Sequence, residues 1–160
     1  MNVTGGLPGA FEPATWFLAF FETSSTPWLD RVLPGRFKHV SAFAYVPGAC
    51  IWVWCDAHWK GLSIVFLPHQ GFILQIAPLT RNATIVKTEK RPLGAMPVST
   101  RFGFYCVPFV KQLIGLRSFA LTPDQCYRFI IRTGGAEIAN ERAQATGRPD
   151  APLGEREGAD

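Results

Sequence analysis

The sequence predicts an α+β fold: an antiparallel five-stranded meander packed against a cysteine-bearing helix, with flanking helices. Three observations lead there. From Phe37 to about Lys90, short apolar runs are punctuated by Pro, Gly and Asn, which is the pattern of strands and turns. After residue 105 the apolar spacing changes to a helical one, with Phe109, Val110 and Leu113 following Cys106 at i+3, i+4 and i+7. Finally, 160 residues with 48% apolar content, 13% aromatic, suffice for one packed core.

The elements follow in order. Residues 1–25 form an N-terminal lead-in, rich in Gly and Pro up to Pro13, with a short aromatic helix expected from Pro13 to Thr23. A second helix is expected from Pro27, with Thr26 as N-cap and Pro34-Gly35 as its stop. Strands are predicted at 38–46, 50–56, 62–67, 72–77 and 83–90. Helices are predicted from Cys106 to Ile114 and from Pro123 to Arg132. The second of these opens on Thr122-Pro123-Asp124-Gln125, a capping box with proline in its first turn. The main domain therefore spans 26–134. A polar C-terminal extension covers 135–160, helical over Glu137 to Ala145 and a flexible tail from Thr146.

Composition narrows the function classes. Residues 135–160 carry six acidic side chains against three arginines, which leaves the preceding body basic. Its cations are scattered and never form a run, so a solvated surface is expected and no specific nucleic-acid partner. The apolar stretch Trp16 to Phe21 is too short to span a bilayer and lacks a basic region before it, so neither a signal peptide nor a membrane span is expected. The four cysteines, Cys50, Cys55, Cys106 and Cys126, show no disulfide framework and read as reduced thiols of a cytosolic setting.

The chemistry lies in two distant segments. His39 begins a strand and Cys106 begins a helix, the two halves of an activated thiol nucleophile. The helix start favours a thiolate, and its free N–H groups suit an oxyanion, although Pro108 removes one donor. The hairpin around Pro47-Gly48 supplies a third member. A turn centred there pairs residues whose numbers add to 95 and sets Asp56 opposite His39, where a carboxylate orients the ring. A loop of Pro47 to Cys50 would instead set His39 opposite His58. The candidate catalytic residues are thus Cys106, His39 and Asp56.

Competing assignments are weaker. Cys50, Cys55 and His58, with Cys106, have the residue types of a zinc site, but Cys50 and Cys55 differ by an odd number in one strand and point to opposite faces. No metal or cofactor is therefore expected. Cys126 reads as a core thiol. Trp52, Trp54 and Trp59 read as a half-buried hairpin's core aromatics, with base or sugar stacking as the alternative. Phosphate-binding glycine loops, a G-x-S-x-G elbow and paired catalytic carboxylates are not found in the sequence.

The run His39-Val40-Ser41-Ala42-Phe43 resembles the histidine strand of NlpC-type papain-like cysteine peptidases and amidases. The Cys106 helix resembles their nucleophile helix in reversed chain order, as in the circularly permuted branch that includes lecithin:retinol acyltransferase-like proteins. More narrowly, Leu33 to Val40, Trp54-Cys55-Asp56, Cys106 with Val110 to Leu116, and Leu121 to Arg128 are similar to small proteins of tailed-phage and prophage genomes. The likeness covers roughly residues 28–132. It implies a permuted papain-like fold with Cys106 as nucleophile, His39 as general base and Asp56 as orienting acid. It also implies a peptide or amide substrate, such as peptidoglycan, and a setting in the host cytoplasm or the assembled phage particle. Val107-Pro108 departs from the small residues that usually follow the nucleophile in NlpC-type enzymes. The other reading is a catalytically silent papain-like scaffold that serves as a virion structural or assembly protein of the tail or head-tail region, bound to other virion proteins.

Overall fold

The computed structural model describes residues 15–24, 26–58, 61–89 and 106–138. Within them the chain forms a six-stranded antiparallel sheet and four α-helices. In chain order these are β1 (Thr15–Phe21), α1 (Pro27–Val32), β2 (His39–Val46), β3 (Ile51–His58), β4 (Gly61–Pro68), α2 (His69–Thr80), β5 (Ala83–Glu89), α3 (Cys106–Leu113), α4 (Pro123–Arg132) and β6 (Ala136–Ile138). The strand order is β4-β3-β2-β1-β5-β6. The α+β class and the antiparallel sheet agree with expectation, but the arrangement departs from a five-stranded meander. β1 to β4 do run as a meander, and β5 then returns across α2 to pair with β1.

Two elements reverse the sequence assignment, for one physical reason. Thr15–Phe21, expected as part of a helix in the lead-in, is an interior strand between β2 and β5. Residues 72–77, expected as a strand, lie inside α2. Both are apolar runs of about six residues, the second broken only by Gln75, too short and too uniform for a period of 2 or of 3.6 to show. Position decides instead. A strand flanked on both sides and covered on both faces buries side chains of both parities, so β1 is apolar from Trp16 to Phe21, with Leu18, Ala19 and Phe20 fully buried. α2 follows a β4 that ends at Pro68 and lies over one sheet face, leaving Ile73 and Leu74 exposed. Glu137 and Ile138 belong to β6 rather than to a helix, and the remainder of that expected helix lies outside the described residues, as do Trp59 and the tail from Thr146.

The sheet separates two cores. On one face α3 and α4 place Val107, Val110, Cys126 and Ile130 against Leu18, Phe20, Val40, Ala42 and Val86. On the other, α2 brings Ile76 over Ala19, Phe43, Trp54 and Leu67. Trp52 stacks on Phe72 at 4.2 Å between centroids, and Phe43 stacks on Trp54 at 5.6 Å. Trp52 and Trp54 are therefore spent on packing α2, as the core reading expects.

The segment before β2 is pinned by α4. Gly35 has φ +91°, and a Cβ there would lie 2.5 Å from the Asp124 side chain. Asp124 accepts from the Arg36 N–H at 3.0 Å and pairs with Arg128 at 2.9 Å. Glycine is thus required both by conformation and by space. α4 starts with the expected capping box: Thr122 accepts from the Gln125 N–H, and the Gln125 side chain accepts from the Thr122 N–H. α3 closes at Gly115, in the left-handed region, and the Leu116 N–H bonds the Lys111 carbonyl at 2.7 Å. Among the described residues, no helix is long and apolar enough to cross a membrane.

Candidate functional site

The hairpin register is the second of the two open to the sequence. Pro47–Ala49 forms a 3-10 turn and Cys50 closes it in the left-handed region at φ 53°, so the loop runs from Pro47 to Cys50. Phe43 then pairs with Trp54 and Ala42 with Cys55. Continued down the strands, this register sets Ser41 opposite Asp56 and His39 opposite His58. The direct His39–Asp56 pairing expected from a turn centred at Pro47-Gly48 is corrected to a diagonal one. The two registers differ by two residues, so every side chain keeps its face, and the carboxylate still reaches the ring.

The resulting cluster is tight. Asp56 Oδ1 lies 2.6 Å from His39 Nε2 and accepts from Ser41 Oγ at 2.8 Å. Its other oxygen, Oδ2, lies 2.9 Å from His58 Nε2. Ser41 Oγ is also 3.2 Å from His39 Nε2. The two imidazoles stack with centroids 5.3 Å apart and planes 4° from parallel, and Phe21 covers the other side of the His39 ring at 5.9 Å. His39 and Asp56 are mostly buried, whereas His58 is more than a third exposed.

Electrostatics follow from this packing. Burial, the strongest single influence on His39, pulls its pKa down. The hydrogen bond to Asp56, the hydrogen bonding and charge of Cys106 and the charge of Asp56 together outweigh it, lifting the value from 6.5 to about 9. For Asp56, burial again acts first and upward, yet the hydrogen bond and charge of His39, the Ser41 bond and the charge of His58 hold it below the ordinary carboxylate value. The ground state is an imidazolium-carboxylate pair.

Cys106 approaches this pair from the other layer. It is the first residue of α3, 3% exposed, and belongs to the core under α3 and α4. Strand alternation puts His39 and Ser41 on the α2 side with Phe43. His39 is also the first residue of β2, at the end of the sheet, and there the nearness of the Cys106 side chain helps raise the pKa of its ring. The other thiols are chemically quieter or remote. Burial pushes Cys126 up to about 12 and Cys55 up to about 11, and Cys50 is exposed at the far end of the hairpin.

Comparison with family models, with curated proteins and with solved structures found no match. A serine nucleophile is disfavoured, because Ser41 meets the same ring nitrogen as Asp56 and gives its proton to the carboxylate. It belongs to the orienting set.

The sequence alone gives Ser41 no role and places His58 only in the other register and in a zinc set. Their alternation with His39 and Asp56, two residues away on the same strand faces, is the signal that could have found them. The cysteines of the rejected zinc set do not gather. Cys50 is exposed in the hairpin loop, while Cys55 lies in the α3 and α4 core.

Proposed function

We propose that this chain is a thiol-dependent hydrolase, a peptidase or amidase of circularly permuted papain-like build and of phage or prophage origin. The observation that carries the reading is the His39–Asp56 pair at 2.6 Å, with the Cys106 sulfur acting on the same ring from the first turn of α3. Asp56 holds Nε2, which leaves Nδ1 to exchange a proton with the thiol. In the acylation step Cys106 Sγ, with its proton already carried by the His39 ring, attacks a carbonyl carbon. The C–N bond breaks, the amine leaves with that proton, and a thioester remains on Cys106. Neutral His39 then takes a proton from water as the water attacks the thioester, the C–S bond breaks to release the acid, and Cys106 is left beside the protonated ring as at the start. Backbone N–H groups at the start of α3 would stabilise the oxyanion, with Pro108 contributing none. In the phage setting, the substrate class is a peptide or amide bond such as those of peptidoglycan, met in the host cytoplasm or from the particle.

The test is covalent trapping with a peptidyl chloromethyl ketone, mapped by mass spectrometry. The expected adduct is on Cys106 and is absent in His39→Ala. An adduct that forms equally in that variant, or none at all, would remove the hydrolase reading.

Two observations favour a second reading, a silent scaffold in the virion. Cys106 is almost wholly buried in the α3 and α4 core, and the edge strand β4 exposes Leu62, Ile64 and Phe66 on one face. An edge with no partner strand among the described residues, carrying an apolar stripe, is suited to binding a neighbouring protein. Under that reading Cys106 would resist the trap, and Phe66→Lys would weaken assembly without touching thiol reactivity.

A further inference from the structure

His39, Asp56 and His58 each offer a metal-ligand atom, and these atoms all lie within 4.8 Å of one another. Triad logic alone does not call for this geometry, since one histidine suffices to work with Cys106. The second imidazole is aimed at the same carboxylate: Nε2 of His39 and Nε2 of His58 contact opposite oxygens of Asp56 at 2.6 and 2.9 Å, with the rings parallel. We propose that His39, Asp56 and His58 form a binding site for one divalent cation of the zinc class.

The chemistry of the donors selects the ion. Two imidazole nitrogens and one carboxylate suit zinc and its borderline neighbours, whereas magnesium and calcium favour oxygen ligands. Metal bonds of about 2.0–2.2 Å in tetrahedral geometry place ligand atoms roughly 3.3–3.5 Å apart. Adjustments on the order of 1 Å from the present spacing would reach this. The ion would take the place of the protons now shared between the rings and the carboxylate, and those protons would leave to solvent. Ser41, donating to Asp56 Oδ1 and 1% exposed, already provides the outer hydrogen bond that orients a ligating carboxylate. The open side of the site faces outward through His58, which gives the ion a path in. One consequence rests on the hydrolase reading: the ion would occupy the histidine that must carry the proton to the leaving amine, so metal and catalysis would exclude each other. Binding itself does not depend on that reading.

The test uses the full chain stripped with a chelator and titrated with cobalt(II) chloride. A visible d–d absorption band should saturate at one equivalent and be bleached by zinc chloride but not by magnesium chloride. His58→Asn and His39→Asn should each weaken cobalt binding by about tenfold or more. A measurement on the unaltered chain covers any variant that fails to fold. In a 15N-histidine spectrum, zinc should move the ring signals of His39 and His58 and leave His69 in place. Absence of the band, undiminished cobalt affinity in His58→Asn, or zinc shifts confined to His69 would overturn the proposal. Because no outcome is read from activity, failure here and failure of the hydrolase reading can be told apart.

Discussion

The His39–Asp56 pair makes stability depend on pH in a definite direction. A histidine whose folded pKa exceeds its unfolded value stabilises the native state most below the unfolded pKa, and that stabilisation disappears as pH rises through the folded one. For His39 the window runs from 6.5 to about 9. Each pH unit of difference is worth about 1.4 kcal/mol, so at most about 3 kcal/mol of unfolding free energy should be lost across it. Asp56→Asn removes the carboxylate charge while keeping the shape. The desolvation that lowers the His39 pKa remains, and the value should fall by roughly 1–3 pH units. The assay is a ring-carbon NMR titration of the metal-free protein, paired with urea unfolding at pH 6.5, 7.5 and 9. With three histidines in the chain, the His39 signal is readily assigned from His39→Gln. A His39 that titrates at or below 6.5 in the unaltered protein, or a value unmoved in Asp56→Asn, would mean that the carboxylate does not set the charge of the ring.

Other substitutions test the frame that holds the pair. Gly35→Ala should destabilise by about 1–3 kcal/mol in urea unfolding, because it combines a left-handed φ with a collision against Asp124, which must then release the Arg36 N–H. Thr122→Ala should cost about 1 kcal/mol by removing the N-cap of α4, measured in the same assay. Ser41→Ala should cost about 1.5–3 kcal/mol, since it deletes a buried hydrogen bond to a charged acceptor, and it should lower the His39 pKa by weakening the hold on Asp56. A Ser41→Ala protein with unchanged stability and an unchanged His39 titration would mean that the hydroxyl does not hold the carboxylate.

The His39–Asp56 meeting was legible in the sequence because it depends on strand parity, which survives a two-residue change of register. The register itself was not, because whether Cys50 enters the loop depends on its left-handed conformation, which no residue preference announced. The capping box of α4 and the end of α3 at Gly115 were legible because local hydrogen bonding fixes both. β1 and α2 were not: their apolar runs acquire a type only from what surrounds them, and the β1–β5 pairing joins segments more than 60 residues apart. His58 shows the same limit at the site, since its contact with Asp56 depends on how far β3 continues as a regular strand.

In the proposed hydrolase the Cys106 sulfur and the His39 ring work as one unit. The most direct measurement is the rate of iodoacetamide alkylation at each cysteine, followed by peptide mass spectrometry from pH 5 to 9 in a Cys50→Ser background that removes the exposed thiol. We expect Cys106 to react well ahead of Cys55 and Cys126 at pH 7, and to slow by about tenfold or more in His39→Ala while the other two keep their rates. Labelling of Cys106 as slow as that of the two buried thiols, or unchanged in His39→Ala, would mean that the thiol and the ring do not act together.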